Sequence, residues 1–358
     1  MNIDIPEYDD FEKVIAYDSL YQSARKCRLN VQWKDSVAKY MENVLEETLT
    51  LQEQLQAGTY HTEPPIHFKV YEPKEREIQS LRFRNKVFQR SLCDNSLVPG
   101  LMATFIYDNG ASLPQRGVDF SMNRLKAHLQ KYYREYGLDG YIEQFDIRHY
   151  FDSINHEAAM KQVRKRFKDE RIIKYTEEAI AIFGDVGLGL GSQVSQILAL
   201  ATLNELDHFI KEELHIKYYG RYMDDFYLIH PDKEYLRYCR QRIGEKLTEI
   251  GLELNQKKTQ LFPIRNGIKF LGFHFKMIET GKVYMKINRK SVTRQRRKLR
   301  RMKGLLEEGR ISFEDVHMQY ISWRAHALRG NSRQLIKRMD RYFNELFIDD
   351  WLRQPLEP

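Results

Sequence analysis

Apolar residues recur at helical spacing over residues 31–55, where one face collects Val37, Met41, Val44, Leu51 and Leu55 with Leu45 at its flank. That spacing predicts a helix, which Gly58 stops. Alternation then takes over. Ile66, Phe68 and Val70 read as a short strand, residues 71–77 as a charged turn around Pro73, and residues 78–81 as a second strand-like run. Helical spacing returns over 84–97. Pro99-Gly100 and Asn109-Gly110 punctuate an irregular stretch, and a helix over 118–136 is ended by Gly137. The centre reads as a strand ending at Asp146, helices over 156–167 and 172–183, a glycine-spaced loop at 184–191 and a long helix over 193–214. A hairpin around Asp224-Asp225 follows, then a helix over 233–250, a short strand at 252–254, and strands over 267–275 and 282–287 about the turn Thr280-Gly281. Beyond Asn288 the pattern is wholly helical, so a boundary is expected near Ile287. Strands and helices interleave without βαβ regularity or internal repeat, which predicts an α+β fold rather than a doubly wound sheet.

Composition narrows the class. With 358 residues, 42% of them hydrophobic and no Gly/Ser/Pro-rich run, the chain suits several subdomains around a shared cleft. Its net charge of +8 permits nucleic-acid binding, and its distribution says more than its sum. Residues 286–303 hold ten Lys/Arg (Lys286, Arg289, Lys290, Arg294, Arg296, Arg297, Lys298, Arg300, Arg301 and Lys303) and no acid. The start is the reverse: Asp4, Glu7, Asp9, Asp10, Glu12 and Asp18 face one Lys, and read as solvated or docking surface. No basic leader with an apolar run and no 18-residue apolar stretch is present, so a cytoplasmic protein without a membrane span is expected. Cys27, Cys93 and Cys239 have no metal-ligand spacing and read as small buried hydrophobes.

Chemistry concentrates where Tyr222-Met223-Asp224-Asp225 puts two adjacent carboxylates between apolar strands. Buried carboxylates are costly unless paired or metal-bound, and hard cations such as Mg²⁺ prefer oxygen ligands. Asp146, at the end of its own strand, supplies a third. Three carboxylates suffice to hold two metal ions for in-line phosphoryl transfer. His149 and His156 read as a surface and a capping-region histidine rather than ligands, since Mg²⁺ takes oxygen ligands, and Trp323 and His326, at helical spacing, read as packing residues.

The succession of Asp146, glycine loop, Asp224-Asp225 hairpin and basic helical tail resembles a reverse transcriptase over about residues 30–345. Asp146-Ile147-Arg148-His149-Tyr150-Phe151 is similar to the family's first catalytic block, Tyr222-Met223-Asp224-Asp225 to its signature box, residues 252–259 to the lysine-bearing block, and Phe270-Leu271-Gly272 to the primer-grip hairpin. The resemblance implies a right-hand polymerase fold: an acidic segment 1–30, fingers with the start of the palm at 31–137, a palm of antiparallel sheet and helices at 138–287, and a basic helical thumb at 288–358. It implies Asp146, the Ile147 carbonyl, Asp224 and Asp225 as ligands of two Mg²⁺ ions, with Mn²⁺ as substitute, and Lys258 as the proton donor to pyrophosphate, although Lys257 leaves that register open. It makes Phe151 a steric gate against ribose 2′-hydroxyls, with core packing as the alternative for Tyr150 and Phe151. Lys69, Lys74 and Arg76 would grip the triphosphate, an exposed charged turn being the alternative for the lysines. Phe270, Leu271, Gly272, Arg296, Arg297 and Arg300 would hold the template–primer duplex, whose phosphates suit cations and whose shallow A-form minor groove suits a helix.

In the loop Leu190-Gly191-Ser192-Gln193-Val194-Ser195-Gln196, Leu190 and Gln196 stand where most group II intron-type relatives carry Gln and Pro. This form resembles the error-prone enzymes of diversity-generating retroelements, and implies that Gly191, Gln193 and Gln196 lie against the nascent pair. It also implies template RNA, dNTPs and a small basic accessory protein as partners, with template removal and DNA insertion supplied from elsewhere. The alternatives are a reverse transcriptase of an anti-phage defence system and a catalytically silent RNA-binding scaffold.

Overall fold

Buried apolar stripes on short helices organise the start of the chain in this computed structural model, which describes residues 6–71 and 75–352. Helices α1 (Phe11–Ile15) and α2 (Tyr17–Cys27) bury Phe11, Val14, Ile15, Leu20 and Ala24. The acidic start is therefore not a solvated arm throughout. Asp9 is buried and accepts the backbone N–H groups of Lys168 and Asp169, while Glu7 and Glu12 stay exposed. The helix expected over 31–55 is two, α3 (Asp35–Glu42) and α4 (Val44–Gln56), because Asn43 leaves the helical region at φ −112°, ψ 29°. The break lets each half aim its own stripe inward: Val37 and Tyr40, then Thr48, Leu51 and Leu55.

Strands β1 (Ile66–Val70) and β2 (Arg76–Ser80) pair antiparallel as the alternation predicts. Helix α5 (Phe83–Leu92) does not end at Leu97. Wide π-type turns over Cys93–Leu97 carry it into α6 (Val98–Met102), with Pro99 in its first turn. Gly100 is required there: a Cβ would come within 2.5 Å of the Phe167 ring and 2.9 Å of Tyr8. Helix α7 (Val118–Tyr136) leads to β3 (Tyr141–Phe145), α8 (Tyr150–Ser153), α9 (His156–Arg166) and α10 (Glu170–Ala181). The long central helix is α11 (Gln193–Thr202) and α12 (Asn204–His208) in succession, extended by π-type turns over Phe209–Glu213. Strands β4 (Tyr218–Tyr222) and β5 (Asp225–His230) form the hairpin, and α13 (Lys233–Glu249) follows. Residues 252–254 contribute one bridge, Leu254 to Ile147, rather than a strand. The sheet's edge is instead β6 (Gln260–Pro263), giving the order β4-β5-β3-β6.

The run 267–275 is folded back on itself as β7 (Ile268–Phe270) and β8 (Phe273–Met277), with left-handed Leu271 (φ 48°) and Gly272 (φ 85°) at the turn. Strand β9 (Val283–Ile287) completes a three-stranded sheet, and α14 (Arg289–Glu307), α15 (Phe313–Leu328) and α16 (Arg333–Leu352) pack together around Tyr320, Phe343 and Phe347. Two compact units result. One joins the residues up to Ser121 with Glu143–Leu261; the other joins Met122–Ile142 with the residues from Phe262 onward. Cys93 and Cys239 are buried and Cys27 is half-buried, all three unbonded to one another. No described helix is long and apolar enough to cross a membrane. These antiparallel sheets and helices are those of a right-hand polymerase fold.

Candidate active site

Strand β3 ends at Phe145, so Asp146 leaves the sheet at its end. The last cross-strand pair of the β4–β5 hairpin is Tyr222 with Asp225, which makes Met223 and Asp224 a two-residue turn. Met223 is left-handed at φ 56°, as the tight hairpin turns that match strand twist require. Phe145 and Phe226, fully buried, stack with centroids 4.7 Å apart and planes at 6°. That stack brings Asp146, one residue after Phe145, and Asp225, one residue before Phe226, to the same end of the sheet. An offset aromatic pair of this kind adds about 1 kcal/mol beyond its buried area.

The Lys258 ammonium donates to both oxygens of Asp146 at 2.8 and 2.9 Å, and Asn255 Nδ2 donates to Oδ2 at 3.0 Å. Gln144 Nε2 donates to Asp225 Oδ1 at 3.0 Å. Burial, then the charges of Asp224 and Asp146, push the Asp225 carboxyl up to about 7. Asp224 is raised as well, by burial first and by Asp146 second. Burial and mutual repulsion both disfavour three ionised carboxylates here, and Lys258 is the cation seated on Asp146. Among the described residues no three carboxylate, histidine or cysteine side chains close into a metal cage. Ile147 has a buried side chain and a backbone bridged to Leu254, and the Arg148 N–H is held by the Glu253 carbonyl at 2.9 Å.

Downstream of Asp146 the chain turns through left-handed His149 (φ 46°) into α8. Tyr150 is core: it is 3% exposed, and its hydroxyl donates to the Ala199 carbonyl. Phe151 is half-buried and meets Tyr150 edge-on at 5.8 Å. The glycine loop is pinned to this turn, with Leu188 N–H donating to the Phe151 carbonyl at 2.7 Å and Gly187 N–H to the Ile154 carbonyl at 2.9 Å. His156 Nε2 reaches the Gly187 carbonyl at 2.8 Å, so this histidine ties down the loop. Gly191 is exposed at φ 121°; Ser192 caps α11 and bonds Gln89; Gln193 and Gln196 are half-buried on the first turn of α11. Lys69 is exposed and paired with Glu75 at 3.1 Å. Arg76 opens β2 opposite Val70, and Lys74 lies outside the described residues.

In the other unit Phe270 is buried in the sheet, and the Gly272 carbonyl accepts the Asn288 N–H at 3.0 Å, which fixes the start of α14. Trp323 packs beside Tyr320, and His326 against Phe273, as packing residues. The three arginines singled out on α14 separate. Arg296 lies over the Tyr342 ring at 5.4 Å and Arg300 Nε donates to the Tyr342 hydroxyl at 2.9 Å, both toward α16. Arg296 lines a groove of about 1050 Å³ with Arg289, Arg333 and Arg338. Arg297 lines a second, of about 760 Å³, with Lys269, Lys290 and Arg294. Neither groove has a carboxylate among its lining residues.

Sequence reasoning did not single out Gln144, Asn255 or Arg221. Gln144 had a signal, because strand period 2 puts it on the face of Asp146. Arg221 had one too, a cation inside a run that is otherwise buried. Asn255 had none, since only the fold brings it to Asp146.

The family profile described as reverse transcriptase (RNA-dependent DNA polymerase) matches residues 79–275, more than half of the chain. The chain belongs to the reverse transcriptase family. Among curated proteins, this reverse transcriptase is similar to Protein YkfC of Escherichia coli K12, with 24% identity over 277 residues, covering 63% of this chain and 70% of that protein. Among solved structures it is similar to Candida albicans telomerase in complex with a fragment of telomeric RNA, at 12% identity and TM-score 0.49, over 81% of this chain and 58% of that one. An apo telomerase of Candida tropicalis truncated from its C-terminal domain gives 13% identity and TM-score 0.49, over 68% and 60%. The chain thus spans under two thirds of the length of these telomerases.

Proposed function

We propose that this reverse transcriptase is an RNA-directed DNA polymerase that extends a primer on an RNA template with dNTPs. The observation that carries the reading is the Asp224-Asp225 turn set beside Asp146, with the Asp224 and Asp225 carboxyls raised by burial first and by their neighbouring carboxylates second. Carboxylate and carbonyl oxygens suit hard divalent cations, so Asp146, the Ile147 carbonyl, Asp224 and Asp225 would hold two Mg²⁺ ions, or Mn²⁺ in their place. Bound there, the metals would supply Lewis-acid stabilisation of the attacking and leaving oxygens. Gln144 and Asn255 fix the orientation of Asp225 and Asp146, and Lys258, which rests on Asp146, would give its proton to departing pyrophosphate. Phe151 excludes a 2′-hydroxyl by ring volume, while Lys69, Lys74 and Arg76 neutralise the triphosphate. Gly191, Gln193 and Gln196 line the nascent pair. The Phe270-Leu271-Gly272 turn and Arg296, Arg297 and Arg300 hold the duplex, with fingers, palm and thumb at 31–137, 138–287 and 288–358.

The finer reading is the error-prone enzyme of a diversity-generating retroelement, working with a small basic accessory protein. Leu190 and Gln196 support it, because both belong to a loop and helix start whose position is tied to the Phe151 turn, where base-pair geometry is felt. The test is primer extension on a defined RNA with Mg²⁺ and dNTPs, with sequencing of the cDNA and Asp224→Asn run in parallel. Aspartate-dependent cDNA with errors concentrated opposite adenines is expected. Accurate cDNA would move the assignment to a defence-type enzyme, and no synthesis even with candidate partners would sink the polymerase reading.

A further inference from the structure

Below the Asp224-Asp225 turn sits a guanidinium with no access to water. Arg221 and Asp207 both have fully buried side chains, and their pair is bidentate: Nε to Oδ1 at 2.7 Å and Nη2 to Oδ2 at 2.5 Å. Asp207 comes from α12, and the Tyr219 hydroxyl donates to its Oδ1 at 2.5 Å. The rest of the fork is committed elsewhere. Nη2 also donates to the Leu200 carbonyl of α11 at 3.1 Å, and Nη1 donates to the Met223 carbonyl at 3.1 Å. Met223 is the left-handed residue of the two-residue turn, a conformation in which a side-chain-bearing residue is unfavourable and glycine is preferred.

We infer that Arg221 is a positioning residue for the reaction: with Asp207 it clamps the Met223 carbonyl, and so fixes the strained turn that presents Asp224 and Asp225. Stability alone does not require this arrangement. A buried ion pair can be replaced by packed apolar groups at little or no cost in stability, whereas only a planar fork can hold a carboxylate and two carbonyls on different elements at once. Lysine keeps the charge opposite Asp207 but has a single nitrogen and cannot span those acceptors. The inference rests on reading the turn as the metal-bearing one.

Two variants of the whole protein test it, Arg221→Lys and the apolar replacement R221M/D207L/Y219F, each measured for Mn²⁺ affinity by electron paramagnetic resonance, duplex Kd, melting temperature, and kcat and KM in primer extension. Expected for Arg221→Lys are at least tenfold weaker Mn²⁺ binding and at least tenfold lower kcat, with KM for dNTP and duplex Kd within twofold. The triple variant is expected to show the same losses whatever its melting temperature. Wild-type Mn²⁺ affinity and kcat in Arg221→Lys would overturn the clamp, as would parallel loss of duplex binding, which marks a purely structural role. If the triple variant does not fold, Arg221→Lys decides alone. A wild-type protein that binds no Mn²⁺ would instead refute the metal reading of the turn, a result distinct from failure of the clamp.

Discussion

Arg221 and Arg297 carry the same side chain to opposite ends. Arg221 is buried beneath the hairpin and spends its fork on Asp207, Leu200 and Met223, whereas Arg297 stands exposed on α14 in a groove lined by cations without a carboxylate. A buried, fully bonded charge fixes geometry and leaves nothing over for a ligand. An exposed charge without a protein partner fixes little and attracts polyanions at a distance set by salt. The polymerase reading needs both kinds: a rigid turn where phosphoryl chemistry requires sub-ångström placement, and a compliant cationic surface where any sequence must be held.

The sharpest way to break that contrast is Asp224→Asn. It should reduce synthesis about a thousandfold, which corresponds to about 4 kcal/mol of transition-state stabilisation, and leave duplex Kd within about twofold. Filter-binding beside single-nucleotide extension checks it, and retained extension would end the carboxylate assignment. The converse is charge reversal of Arg296, Arg297 and Arg300 to Glu. Binding should weaken by about a hundredfold, and the slope of log affinity against log salt should flatten by about two to three, near one for each phosphate that is no longer neutralised. Because Arg296 and Arg300 also rest on Tyr342, Arg297→Glu alone should flatten the slope by about one without lowering the melting temperature, while Arg300→Glu should lower it.

Glu143 sharpens the comparison from the buried side. It is fully buried beside the half-exposed Arg240, and burial, partly offset by Arg240, raises its carboxyl from 4.5 to about 7. The folded protein therefore keeps a proton that the unfolded chain loses, so this residue makes stability fall as pH rises from about 4.5 to about 7. Glu143→Gln should remove that fall, gaining up to about 3 kcal/mol relative to wild type across the window, read as a melting-temperature difference that grows with pH. A difference independent of pH would mean that the carboxyl is ionised throughout. The smallest effect is expected at the Lys69–Glu75 pair, which is exposed: Glu75→Ala should change stability by less than about 0.5 kcal/mol in denaturant melts.

Local patterns were legible where one element suffices to define them. The β1–β2 and β4–β5 hairpins, α7, α13 and the basic α14 follow from periodicities of 2 and 3.6 and from turn residues near the predicted ends. Patterns failed where burial from elsewhere overrode the local signal. Pro99-Gly100 reads as a break, yet the rings of Tyr8 and Phe167 pack on Gly100 and the helical path continues. The apolar N-terminal helices were masked by their acids, and β6 by its charged neighbours.

For the candidate site, the sequence by itself pointed to the carboxylates: adjacent aspartates between apolar strands are costly to bury as ions without positive charge beside them, and Asp146 sits at the end of a neighbouring strand. It also determined the sign and the span of the basic tail. Only the tertiary structure decided which groups steady those acids, because Gln144, Asn255 and Lys258 meet them across separations of up to 112 residues, and no periodicity encodes a meeting of two elements that cross. It alone divided Arg296 and Arg300 from Arg297 onto two sides of α14. And it alone gave Arg221 its place under the turn, since a buried guanidinium is defined by the three acceptors folded around it.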